Sequence, residues 1–268
     1  MNSEELKSIV KQKYGEIAQK SLEELNSSTC CGTQCCADPH DLTCFNDDYT
    51  QLKGYNKAAD LKLGCGVPTE VAAISPGDTV LDLGSGAGND AFVARAIVGE
   101  SGKVIGLDMT ETMIEKARKN ANSLGYTNVE FKLGDIEAMP IESDSINVVI
   151  SNCVLNLVPD KRKAFSEMYR VIKLGGHFSV SDIVLAQPLP SGLQKAAEMY
   201  AGCVSGAIEK KEYLKIIDEA GFENVQIKVE KPIQLPDEVL SKYLSPDEVT
   251  RFKDLGAVIL SITVFGIK

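Results

Sequence analysis

The sequence has no tryptophan and only two histidines, His40 and His177, in 268 residues. So small a supply of imidazole leaves little room for chemistry built on a histidine base or a histidine-rich metal centre. Neither histidine has an evident acid partner, and both read as structural. Cationic residues are outnumbered as well: 28 lysines and arginines face 38 acids, for a net charge of −10. A surface of that sign repels nucleic acid and anionic membranes, and no basic patch interleaved with aromatics offsets it. No apolar run approaches the ~18 residues that a membrane-crossing helix needs. The opening residues Met1-Asn2-Ser3-Glu4-Glu5 are acidic and lack the apolar core of a secretory leader, so a cytoplasmic protein is expected. Cysteine, by contrast, is plentiful at eight residues, and in a reducing compartment these do not read as a disulfide framework.

Composition is otherwise that of a globular protein, with 44% hydrophobic and 25% charged residues, enough for one large domain or a domain with an appended segment. The apolar strand Thr79 to Leu83 runs into Gly84-Ser85-Gly86-Ala87-Gly88, and a helix follows. Glycines at alternate positions let the chain turn sharply and approach a ligand, and the helix beyond aims its free N–H groups at that ligand. The third glycine of a dinucleotide fingerprint would fall on Asn89, so the spacing is a different one. With Asp82 two residues before Gly84, the run resembles motif I of the class I methyltransferases that use S-adenosylmethionine. A second short strand, Gly102 to Asp108, ends in an acid 24 residues after Gly84, placed to accept from ribose hydroxyls. Thr110 then offers a helix cap, with Met113, Ile114, Ala117, Ala121 and Leu124 at helical spacing and Gly125 as the stop. The strand from Val129 ends at Asp135-Ile136, where the acid is placed to accept from an adenine amino group. Ile146 to Asn152 follows as a buried parallel strand. Acids at the carboxyl ends of three successive strands stand where open α/β sheets bind ligands.

Ser151-Asn152-Cys153-Val154-Leu155-Asn156-Leu157-Val158-Pro159-Asp160-Lys161 is similar to the S-N-C-V-x-N-L-x-P-D-K stretch of arsenite methyltransferases. Gly202-Cys203-Val204-Ser205-Gly206-Ala207 resembles that family's second cysteine segment. Leu63-Gly64-Cys65-Gly66-Val67-Pro68 resembles the G-C-G segment ahead of motif I. The likeness spans roughly residues 50 to 225. It implies a Rossmann-like fold with a mostly parallel seven-stranded sheet and helices on both faces. It further implies that Cys153 and Cys203 hold arsenic, with Cys65 as a third thiol that binds arsenic or pairs with another cysteine. Asp82, Gly84, Ser85, Gly86, Gly88, Asp108, Met109, Asp135, Ile136 and Asn152 would form the cofactor site. Trivalent arsenic is soft and suits thiolate ligands, and its own lone pair removes the need for a general base. An external thiol, glutathione or thioredoxin, would return the protein thiols to the reduced state. The departures are Leu63 where the family often has tyrosine, Lys173-Leu174-Gly175-Gly176 for the commoner K-P-G-G, and a divergent tail from about residue 232.

Three regions are expected: residues 1–68 with an amphipathic helix over 5–25 and a cysteine-rich arm, an α/β core over 69–185, and a lid helix with the last strands over 186–268. Those strands, Val225 to Glu230 and Val258 to Ile267, are expected to pair antiparallel at one end of the sheet. The arm cysteines Cys30, Cys31, Cys35, Cys36 and Cys44 could serve zinc, arsenic or a soft-metal relay. Two rival functions remain. One is a methyltransferase of this fold acting on carbon or oxygen of a small organic acceptor, which leaves the three placed cysteines idle. The other is a non-enzymatic protein that binds soft metals through the arm, which leaves the cofactor motifs idle.

Overall fold

The computed structural model describes residues 3–19, 47–190, 193, 206–235 and 237–268. Cys203 and the five arm cysteines lie outside these, as does most of the insertion expected from Pro188 to Cys203.

In chain order the helices are α1 (Ser3–Gln19), the single turn α2 (Pro68–Val71), α3 (Asn89–Val98), α4 (Glu111–Ser123), α5 (Lys161–Val171), α6 (Lys210–Glu219), α7 (Asp237–Tyr243) and α8 (Pro246–Asp254). The strands are β1 (Thr79–Leu83), β2 (Lys103–Asp108), β3 (Val129–Leu133), β4 (Ile146–Asn152), β5 (Ile172–Leu185), β6 (Glu223–Ile233) and β7 (Ile259–Ile267). They form one seven-stranded sheet in the order β3-β2-β1-β4-β5-β7-β6. The first five strands run parallel, and β7 pairs antiparallel with both β5 and β6. The expected mostly parallel sheet with an antiparallel pair at one end is therefore present. Among the described residues no helix is long and apolar enough to cross a membrane.

Side chains alternate along each strand, so two apolar cores form, one on either face. Leu81, Leu83, Ile105, Leu107 and Val149 face Phe165, Phe178 and Tyr213. Val80, Val104, Val148 and Ile150 face Phe92, Ile114 and Phe131. Helix α1 lies outermost on the second face, where Val10 and Ala18 are buried and Tyr14 and Ile17 pack against that core. Ile9 of the same helix is 52% exposed. Strand β5 begins at Ile172 because the chain pairs with β4 directly after α5, with a register shift between Ile146 and Val148. Thr110 occupies the cap position of α4 but caps nothing with its side chain; its own N–H donates to Asp108 Oδ1 at 2.8 Å. His177 Nε2 lies 2.6 Å from the Ala72 carbonyl, with the ring beside Phe265.

One buried acid sets a pH response. Asp182 on β5 is 1% exposed and accepts a 2.8 Å hydrogen bond from the Tyr213 hydroxyl of α6. Burial pushes its carboxyl up to about 7, against the Tyr213 hydroxyl and the Lys161 ammonium, which favour the charged form. The native state thus keeps a proton that the unfolded chain, with an ordinary carboxyl near 3.8, has already lost. Its contribution to stability is full below pH 4 and falls by about 1.4 kcal/mol per pH unit until pH 7. Urea unfolding of the wild type at pH 5 and pH 7 should show about 2 kcal/mol more loss of stability than Asp182→Asn. Identical pH profiles for the two proteins would remove Asp182 from this role.

Candidate active site

A cavity opens at the carboxyl ends of β1, β2, β3 and β4, where the crossover helices leave the backbone accessible. Asp82, Gly84, Ser85, Gly86, Asp108, Met109, Asp135, Ile136, Asn152 and Cys153 line it. The structure thus gathers nearly all the predicted cofactor residues, together with one of the thiols, at a single cavity. Gly88 is not among the lining residues. It sits at the cap of α3 with φ +100°, and a Cβ there would lie 2.8 Å from the Phe92 ring and 2.9 Å from the Phe131 ring. Its role is to let the loop turn over that aromatic pair.

The glycine loop is pinned from both sides. The N–H groups of Gly84 and Ser85 donate to the Leu107 carbonyl at 2.8 and 3.0 Å. Asp108 Oδ2 accepts from Gly86 N–H at 3.0 Å, and its Oδ1 accepts from Thr110 N–H. Burial raises the Asp108 carboxyl, and these backbone donors partly offset it. Asp82 is 2% exposed, and its Oδ2 has no partner among the described residues. Burial, then the neighbouring Asp90 and Asp108, raise its carboxyl well above the usual range. Asp90 is pushed up to about 6, chiefly by burial. Such crowding of carboxylates favours a cationic occupant, whose charge would relieve the repulsion. The open backbone at the glycine loop, the unpartnered Asp82 oxygen and this negative field all fit S-adenosylmethionine, which carries both an ammonium and a sulfonium.

Cys153 directly follows β4 and takes φ +61°, left-handed for a residue with a Cβ. Strain of this kind costs about 1–3 kcal/mol and persists only where neighbours enforce it. Here the Cys153 N–H donates to the Ser181 carbonyl at 2.7 Å. Cys153 is 4% exposed and Cys65 2%, and both belong to one apolar cluster with Ile183, Leu185, Leu240 and Phe252. Cys153 thus both lines the cavity and packs in this apolar cluster, whereas Cys65 packs in the cluster and is not among the residues lining the cavity. Asn152 joins the two cysteine segments. Its Oδ1 accepts from Cys65 N–H at 3.0 Å, and its Nδ2 donates to the Gly66 carbonyl and the Tyr49 hydroxyl, both at 2.8 Å.

Tyr49 and Asp90 escaped the sequence reading, although both line the cavity and are bonded to each other at 2.8 Å. Asp90 stands two residues beyond the last loop glycine, so helix entry was its one signal; Tyr49 had none. The tail beyond residue 232, which suggested nothing about the site, supplies Ile233, Leu240, Leu244 and Phe252 to the cysteine cluster. Asp135 has a partner that the sequence did not suggest, Lys7 of α1, at 2.6 Å.

The sheet order, the glycine loop and the three strand-end acids together define a Rossmann-like class I methyltransferase fold. A family model described as a methyltransferase domain matches residues 74–221. The arsenite methyltransferase of Halobacterium salinarum is 39% identical across 97% of this chain and 66% of its own length. That of Aquipseudomonas alcaligenes is 31% identical across 88% of this chain and 67% of its own. An arsenic(III) S-adenosylmethionine methyltransferase from Chlamydomonas reinhardtii superposes with a TM-score of 0.65 at 35% identity, covering 76% of this chain and 67% of that one. The chain belongs to the arsenite methyltransferase family. It spans about two thirds of the length of these curated relatives.

Proposed function

We propose that the protein methylates trivalent arsenic, taken as arsenite or its thiol conjugates, using S-adenosylmethionine. The observation that carries this reading is the position of Cys153, which lines the cavity and packs in the same apolar cluster as Cys65. The relatives named above supply the arsenic, and the chemistry of the thiols agrees with it, since soft thiolates suit a soft, thiophilic element. When bound, S-adenosylmethionine supplies an electrophilic methyl group on a cationic sulfur, open to attack by an arsenic lone pair without a base.

What the chain contributes is placement. Asp108 and the glycine loop would hold the nucleoside, while Asp82 and Asp90 would face the cationic end. Cys153 and Cys65, with Cys203, would hold arsenic with its lone pair facing the methyl group. The apolar residues packed around Cys65 and Cys153 would keep water away from the thiols. Methylation of the arsenic lone pair leaves arsenic pentavalent. Two protein thiols would return it to the trivalent state as they form a disulfide, and glutathione or thioredoxin would reduce that disulfide back to thiols.

The test is to incubate reduced protein with arsenite, glutathione and methyl-labelled S-adenosylmethionine, then to separate the products by arsenic species. Label in methylarsenic is the expected result. Cofactor binding with no labelled arsenic would instead point to an organic acceptor, and absence of cofactor binding to a thiol protein that is not an enzyme.

A further inference from the structure

One cluster of charges at the cavity plays no part in the reading so far. Lys7 Nζ of α1 lies 2.6 Å from Asp135 Oδ2 and 2.6 Å from Glu137 Oε2. This is not an ordinary surface pair, because the Lys7 side chain is 14% exposed and that of Glu137 8%. Burial opposes charge on both Lys7 and Asp135. The bonds between them nevertheless hold the ammonium above the usual lysine range and the Asp135 carboxyl below the usual carboxylate range.

The cluster ties together parts of the cavity that the sheet alone does not connect. Asp135 lies just beyond β3, on the side where the nucleoside is expected, and its Oδ1 also accepts the Glu137 N–H at 2.8 Å. Glu137 Oε1 accepts the Asp160 N–H at 2.8 Å, immediately after Leu157, Val158 and Pro159, which line the cavity. From α1, Val10 and Tyr14 line it alongside Lys7. Helix α1 pairs with no strand. Apart from the Lys7 cluster it rests on α4 through Tyr14, Ile17 and Ala18, with Lys116 Nζ donating to the Ala18 carbonyl at 3.0 Å. The other lysine lining the cavity, Lys62, is engaged by Asp60 at 2.7 Å.

We propose that Lys7 is a positioning residue for the cofactor: through Asp135 and Glu137 it fastens α1 as a cover over the nucleoside side of the cavity. The inference rests on reading this cavity as the S-adenosylmethionine site. The motif acid Asp135 then does two things, accepting from the adenine end of the ligand and anchoring the cover. Removal of the ammonium leaves two carboxylates facing each other under the helix, so the cover loosens and the bound ligand escapes sooner.

Binding of S-adenosylhomocysteine, which needs neither arsenic nor turnover, is the probe. Stopped-flow dissociation from Lys7→Met should be about tenfold faster than from the wild type, with association changed little. Lys7→Arg should recover most of the lost residence time. In hydrogen exchange on the wild type, the ligand should slow the amides of residues 3–19, and Lys7→Met should abolish that protection. The proposal fails if Lys7→Met dissociates within twofold of wild type. It fails also if the ligand leaves α1 exchange unchanged in the wild type, a measurement that does not depend on how the variant folds. A wild type that binds no S-adenosylhomocysteine would overturn the functional reading and this inference with it. Binding without any effect at Lys7 or α1 would overturn the inference alone.

Discussion

Cys153→Ser should bind S-adenosylhomocysteine within about twofold of wild type, yet its methyl transfer to arsenite should fall by at least ~1,000-fold. Serine is nearly isosteric with cysteine, and the backbone N–H that fixes this residue to the Ser181 carbonyl is unaltered. The left-handed turn at φ +61° is therefore retained. What disappears is the soft ligand. An alcohol stays protonated at neutral pH and is a hard donor, so arsenic loses a bond at the wall facing the methyl group. The check is calorimetric binding of S-adenosylhomocysteine beside arsenic speciation of a labelled reaction. Appreciable methylarsenic from Cys153→Ser would refute the assignment of this thiol, whatever the other cysteines do.

Gly84→Ala should weaken S-adenosylhomocysteine binding by about 100-fold and lower the melting temperature by several degrees. A Cβ at Gly84, where φ is +67°, would lie 2.3 Å from Val154 Cγ2. The loop cannot simply move aside, because Gly84 and Ser85 are bonded to the Leu107 carbonyl. The displacement would pass instead to Val154, the immediate neighbour of Cys153, so methyl transfer should suffer beyond the loss of affinity. Gly125→Ala is the matched control. It carries nearly the same φ of +68° with nothing within 4 Å of the added carbon. That variant should lose about 1 kcal/mol of stability and keep its affinity for the ligand. Equal affinity losses in both variants would mean that backbone strain, and not the contact with Val154, is responsible.

The parts of the molecule legible in the sequence were those set by local pattern. The buried runs Thr79–Leu83 and Ile146–Asn152 read as parallel strands because both faces are covered. The strand-end acids Asp82, Asp108 and Asp135 stood out because the glycine loop fixed where strands meet ligand. What stayed hidden depends on contacts distant in sequence. Tyr49 reaches Asp90 across 41 residues and Asn152 across 103, and neither spacing leaves a periodic trace. Lys7 meets Asp135 over 128 residues, so the adenine-side acid gave no hint that it was also paired with a helix. Likewise, Phe252 and Leu240 lie in the divergent tail, whose sequence carried no sign that the fold packs it with the two thiols.

Among the described residues, those lining the cavity all precede Arg162, whereas the apolar residues packed with Cys65 and Cys153 all follow Asp182. The division separates heritable variation in the two halves of the site. Substitutions among the described residues of the last third can alter the packing around the thiols without changing a residue that lines the cavity. Among the described residues, only Cys153 belongs to both sets and is not free to drift with either.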